Sequence, residues 1–133
     1  MQRQPIFVGL HHAAIIASNY AVSKVFYTEV LGFTIIAENY RQARDSWKLD
    51  LGLPDGTRIE LFSFPDRPPR PSRPEAIGLR HLAFRVPNLD EAISILTSRG
   101  VKNIEEIRVD EYTGKRFTFF ADPDDLPLEL YEI

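Results

Sequence analysis

Residues 9–18 read GLHHAAIIAS, and residues 78–87 read GLRHLAFRVP. Each stretch opens Gly-Leu, places a histidine three positions after the glycine and runs on as an apolar segment of strand length. The residues beyond each copy also recur. His12 and His81 lie 69 residues apart, as do Asn19 and Asn88, and IEL at 59–61 and LEL at 128–130; Gly32 and Gly100 are 68 apart. One shift with a single gap aligns a strand, a helix cap, a helix end and a closing strand. Such a repeat marks two copies of one supersecondary unit, neither of which buries its apolar face alone.

Working outward, each copy reads as β-α-β-β-β. In the first, Leu10–Ala17 is a strand, and Ser18 or Asn19 caps a helix whose apolar face carries Val22, Val25, Phe26 and Val30. Gly32 suits the position past its end, and strands are predicted at Phe33–Glu38, Ser46–Leu53 and Arg58–Phe64, with PDGT at 54–57 as a turn. In the second, Leu79–Val86 is the strand, Asn88 and Glu91 form a capping box, and Gly100 ends the helix. Strands are predicted next at Val101–Ile107, Lys115–Ala121 and Leu126–Tyr131, with DPDD at 122–125 as the hairpin turn. Residues 65–74, PDRPPRPSRP, hold half of the ten prolines and read as a stiff, extended connector, either a linker or an entrance lid, with the linker favoured. The expected organisation is one α+β domain spanning 1–133: module 1 at about 8–64, connector 65–74 and module 2 at about 78–132.

Strand alternation sorts these residues onto two faces. His12, Ala14 and Ile16 share one, as do His81, Ala83 and Arg85; Glu60 groups with Phe62 and Phe64, and Glu129 with Tyr131. Ile59, Leu61, Leu82, Phe84, Leu128 and Leu130 fall on the opposite faces, where helices would sit. A glutamate inside an apolar strand is costly without a partner. Two imidazoles and two carboxylates at equivalent repeat positions would be satisfied together by one divalent cation, with positions left open for water or substrate. His12, Glu60, His81 and Glu129 are therefore the candidate ligands. His11 lies on the other face.

Composition narrows the classes. A net charge of −3 gives no argument for nucleic acid or a membrane surface. There is no cysteine, so disulfides, thiolate ligands and a Cys nucleophile are excluded, and no G-x-S-x-G motif supports a serine triad. The opening MQRQPIFVGL has no apolar stretch of signal-peptide or membrane-span length, which makes a cytoplasmic protein the expectation.

At this point the chain resembles the vicinal oxygen chelate superfamily, and glyoxalase I-like proteins within it. The resemblance runs from about Leu10 to Glu132 and rests on LHHAAI, SKVFYTEVLGF, RIELFSF, GLRHLAF and ADPDDLPLELYE. ARDSWK and LFSFP further suggest a small bacterial branch without an assigned substrate. It implies paired β-α-β-β-β modules whose mixed sheet curls around a metal held by His12, Glu60, His81 and Glu129. It implies one divalent ion, Ni, Zn, Mn, Co or Fe, and a homodimer, with the four ligands drawn either from one chain or from two. The activity implied is metal-dependent lyase or isomerase chemistry on a small oxygen-chelating, anionic substrate through an enediolate-like species. Glu129 matches the ligand that doubles as base, and pseudo-symmetry leaves Glu60 open to that role.

Two departures bear on the substrate. The glyoxalase I pattern holds glutathione through an Arg four residues after the first His and an Asn four residues after the first Glu; Ile16 and Phe64 stand there. Weak activity on the glutathione hemithioacetal is expected. DPDG is DPDD here, with Asp125 for glycine. Arg85, Lys115, Arg116, Tyr131, Phe62 and Phe64 are the candidate substrate contacts. The alternatives are an epimerase, a thiol transferase or a dioxygenase of the same superfamily, or a protein that sequesters a small molecule such as an antibiotic. A fourth protein ligand disfavours the dioxygenase, since oxygen chemistry needs open positions.

Overall fold

The computed structural model of the protein describes residues 3–133. Its strands are β1 (Ala13–Ala17), β2 (Thr34–Arg41), β3 (Ser46–Gly52), β4 (Arg58–Ser63), β5 (Leu82–Val86), β6 (Arg108–Val109), β7 (Arg116–Ala121) and β8 (Pro127–Glu132). They form two mixed four-stranded sheets, ordered β1-β4-β3-β2 and β5-β8-β7-β6. In each, the opening strand runs parallel to the closing strand, with Ala14 opposite Glu60 in one and Ala83 opposite Glu129 in the other. The parallel pairing requires a crossover, and a helix supplies it. These are α1 (Tyr20–Val25) and α2 (Leu89–Ser98).

Both asparagines cap their helices, although the return bond from the Glu91 side chain that a capping box requires is not among the described hydrogen bonds. The Asn19 side chain accepts from the Val22 N–H, and Asn88 accepts from the Glu91 N–H. α1 does not stop at Val25: it passes into a π-helical turn over Phe26–Val30 before Gly32 breaks the chain at φ +85°. The wide turn carries Tyr27, wholly buried, into the core. The predicted strand at Val101–Ile107 is not formed as a continuous strand. Ladder pairing is found at Arg108–Val109, and Glu105 meets β7 through a single backbone bond, its N–H to the Phe119 carbonyl at 2.9 Å, while its carbonyl accepts the Thr118 hydroxyl at 2.7 Å. The DPDD hairpin closes despite the missing glycine: Asp125 donates to the Asp122 carbonyl and sits at φ +63°.

One apolar cluster unites the halves. Leu49, Leu51, Ile59 and Leu61 of the first sheet and Phe120, Leu128 and Leu130 of the second all belong to it, with Tyr27 and Phe33. Phe26 meets Phe120 at 6.5 Å and Phe33 meets Phe84 at 6.0 Å between ring centres. Tyr27 donates to Asp122 Oδ2 at 2.8 Å, and Ser18 bonds Asp124, so the first helix is tied to the closing turn of the second sheet. Each sheet gives its apolar face to this cluster and turns its other face away.

The proline connector is more than a linker. Ser72 is buried and donates to the Asp125 carbonyl at 2.6 Å, while Arg70 donates to the carbonyls of Leu79 and Arg80. Residues 67–71 wall a cleft of about 500 Å³ with Ala14, Ile16, Leu79 and Asp124. Proline removes backbone donors, so side-chain and carbonyl bonds hold this segment in place. Among the described residues, no helix is long and apolar enough to cross a membrane.

Candidate metal centre

Glu60 lies between Ile59 and Leu61, and Glu129 between Leu128 and Leu130; all four neighbours are in the core. Strand alternation therefore puts both carboxylates on the faces turned away from it. His12, just ahead of β1, brings Nε2 to 3.4 Å from Glu60 Oε1. His81, just ahead of β5, brings Nε2 to 3.0 Å from Glu129 Oε1. The side chains are 35% and 10% exposed in the first pair and 24% and 12% in the second, so each is open on one side only.

The four candidates form two pairs, not one cluster. Among the described residues, no three His, Asp or Glu side chains come together to hold a metal within one chain. The shared core separates the pairs, because each faces outward from it.

The pair geometry nevertheless suits a cation. Two donors bound about 2.1 Å from one ion stand about 3.0 Å apart at a right angle and about 3.4 Å at the tetrahedral angle. Those are the separations in the two pairs. His12 Nδ1 lies 2.8 Å from His11 Nδ1, and with its proton there Nε2 is free to ligate. At the other pair Arg80 donates to His81 Nδ1 at 3.1 Å, which places the proton on Nε2. Ligation through His81 Nε2 requires Arg80 to turn away. Arg80 is 61% exposed in its side chain and, among the described residues, otherwise pairs with Glu75 alone, so that rotation is inexpensive.

The surroundings differ between the halves. Beside Glu60, Lys48 Nζ lies 3.0 Å from Asp50 Oδ1 and 3.8 Å from Glu60 Oε2, and Arg58 reaches Asp50 at 4.0 Å. Lys48 and Asp50 were not among the sequence candidates. SWKLDL carries the signal, since Leu49 and Leu51 point to the core and alternation turns the charges to the Glu60 face. Beside Glu129 the wall is aromatic: Phe119 meets the His81 ring edge-on at 5.0 Å, and Phe117 stacks with Tyr131 at 6.4 Å.

The predicted substrate contacts divide accordingly. Phe62 and Phe64 stack on each other on the Glu60 face, and Tyr131 lies on the Glu129 face with its hydroxyl donating to Asp110. Arg85 shares the Glu129 face but is largely exposed and reaches across to Asp55 at 3.4 Å. Lys115 is exposed in the turn before β7. Arg116 is not on the candidate site's face. It alternates with Phe117, alongside Thr118 and Phe120, and its guanidinium binds both oxygens of Glu132 and reaches Asp90. Glu132 in turn accepts the Leu89 N–H at the start of α2. The Arg116 bond, then that N–H, hold the Glu132 carboxyl down to about 2. Arg116 thus fastens α2 to its sheet.

The sequence profile of the Glyoxalase/Bleomycin resistance protein/Dioxygenase superfamily matches residues 9–130. The chain belongs to that superfamily. It is 66% identical over 123 residues to the uncharacterized protein YaeR of Escherichia coli K12, covering 92% of this chain and 95% of that one. The crystal structure of a glyoxalase family protein from Enterococcus faecalis superposes with a TM-score of 0.89 at 50% identity, covering 96% of this chain and all of the other. A more distant relative, 30% identical over 97% of this chain and 81% of its own length, is the 2-epi-5-epi-valiolone epimerase of an Actinomyces species. Members of the superfamily typically bind a divalent metal and small molecules, and many are enzymes.

Proposed function

We propose that the protein is a divalent-metal-dependent enzyme of the glyoxalase I-like type, moving a proton at a carbon beside vicinal substrate oxygens. The observation that carries this is the pair of His–Glu clips at repeat-equivalent positions, each spaced as two ligands of one ion. The ion, when bound, supplies Lewis acidity to those oxygens. Because the clips face away from a common core, the reading takes His12 and Glu60 from one chain and His81 and Glu129 from its partner in a homodimer.

The chain's own residues divide the remaining work. Lys48, hydrogen-bonded to Asp50, lies 3.8 Å from one oxygen of Glu60, whereas Glu129 has no ammonium or guanidinium within 4 Å among the described ion pairs. Glu129 is therefore the carboxylate freer to take the proton, with Phe119 and Phe117 keeping water from its face. The Lys48 ammonium is placed to favour negative charge developing on the substrate. Ile16 and Phe64 offer a glutathione carboxylate no hydrogen bond, so the hemithioacetal is a poor substrate.

Elemental analysis of protein purified without added metal tests the reading, followed by reloading with Ni, Zn, Mn or Co. One ion per chain, lost in Glu60→Gln and in His81→Ala, is expected. Fully folded protein that takes up none of the four metals would overturn it. Turnover of methylglyoxal with glutathione at about 10 per second or more would show that the substrate assignment is wrong.

A further inference from the structure

Beyond Glu60, the outward face of β4 carries the Phe62–Phe64 stack, with rings 5.9 Å apart and 13° from parallel. Three guanidiniums surround it. Arg41, from the end of β2, lies 4.9 Å from the Phe62 centre and 5.6 Å from that of Phe64; Arg44 and Arg67 lie 5.4 and 5.3 Å from Phe64. None of the three has a carboxylate within 4 Å among the described ion pairs, in a chain whose net charge is −3. Arg41 donates from one terminal nitrogen to the buried Ser46 hydroxyl, yet its Nε is buried with no hydrogen-bond partner among the described residues. A buried donor left unmade is costly, and an arriving acceptor would repay it.

We infer that Arg41, Arg44 and Arg67 form an oxyanion subsite for the far end of the substrate, taking a phosphate or carboxylate group. This rests on the metal-centred reading for the near end. Phe62 and Phe64 are two and four residues past Glu60, so the subsite begins about 7 Å from the metal clip and ends about 13 Å from it. The substrate class is then an elongated small molecule with vicinal oxygens at one end and a terminal oxyanion at the other, its middle lying on two phenyl rings. Guanidiniums suit such a group because they present paired donors in a plane. The second module has no counterpart: Tyr131 stands at the position of Phe62, Phe117 at that of Lys48, and Arg108, over Phe117, is paired with Glu105. The anionic end accordingly belongs to the first module. Arg67 also gives the proline connector a part in recognition.

The test uses the metal-free full-length protein, so it stands apart from metal binding. Inorganic phosphate and succinate are titrated separately, by calorimetry and by the arginine Nε–H signals in NMR; the two arms tell phosphate from carboxylate. Saturable binding of at least one anion that shifts the Arg41 and Arg44 signals is expected. Arg41→Gln/Arg44→Gln should weaken it about tenfold or more. Arg44→Gln/Arg67→Gln, which changes only exposed side chains, should weaken it in the same direction if the first variant folds poorly. Lys102→Gln, at an exposed position away from both faces, should leave it unchanged. Absence of saturable binding by either anion, or binding that survives both double variants, would overturn the inference. Failure of the metal-centred reading would appear separately, as wild-type protein without metal.

Discussion

Replacing Tyr27 with phenylalanine removes one oxygen atom from the joint between the modules. Tyr27 is fully buried and Asp122 is 6% exposed. Asp122 Oδ1 accepts the N–H groups of Asp124 and Leu126 at 2.8 and 2.9 Å, whereas the Tyr27 hydroxyl, at 2.8 Å, is the partner of Oδ2. The substitution leaves the ring packing intact and a buried carboxylate oxygen without its donor. A hydrogen bond to a charged group contributes about 1.5–3 kcal/mol, so a loss of about 2 kcal/mol at neutral pH is expected. With a urea dependence of about 1.5 kcal/mol per molar, the unfolding midpoint should fall by more than about 1 M. The pH dependence arises from Asp122. Burial raises its carboxyl above the ordinary value, and the Tyr27 bond works against that rise. Without the bond the folded-state value rises further. A carboxyl raised by folding adds stability at low pH that is lost as pH rises through the folded value, so the deficit should shrink on going from about pH 7 to about pH 4. An unchanged midpoint, or a deficit that grows in acid, would refute this account of the joint.

Glu132→Gln should likewise lose its deficit in acid, but through a carboxyl that folding lowers rather than raises. Folding lowers the Glu132 carboxyl to about 2, so its contribution is present above the unfolded value near 4.5 and is lost as pH falls toward 2. The variant should be less stable than wild type at neutral pH and converge with it in acid, as read by circular dichroism. Asp125→Gly should stabilise the protein by about 0.5 kcal/mol in urea, because φ +63° costs a residue with a Cβ and not a glycine. Arg116→Lys, which cannot bind both Glu132 oxygens in one plane, should lower the melting temperature while leaving metal content unchanged, since Arg116 faces α2.

Much of the architecture is legible in the 69-residue shift, because alternation around IEL and LEL fixes which face each strand buries. Asn19 and Asn88 are legible as caps because their chemistry is local. What escapes depends on competition between distant groups. Glu105 meets β7 through one backbone bond and the Thr118 side chain rather than through a full ladder, and nothing within 101–107 announces it. The π turn is hidden because Val25, Phe26 and Val30 fit helical spacing whether the turn is tight or wide. Arg116 shows the reverse. Strand parity with Thr118 and Phe120 already assigns it to the core face, and only its charge suggests a substrate. The His–Glu pairs are readable as sets, but their separation by a shared core is a tertiary fact. So is the gathering of Arg41 and Arg44, from the end of β2 and the turn after it, with Arg67 of the proline connector around one ring.

The claim that two chains complete each metal centre is open to a direct measurement. One variant, His12→Ala/Glu60→Gln, lacks the first clip, and a second, His81→Ala/Glu129→Gln, lacks the other. Each alone should hold almost no metal. In a purified heterodimer of the two, the intact first clip of one chain meets the intact second clip of the other, and metal content should return to about half that of wild type. A heterodimer as empty as its parents, beside a wild-type protein that holds its metal, would contradict the account, because the four ligands would then have to meet within a single chain.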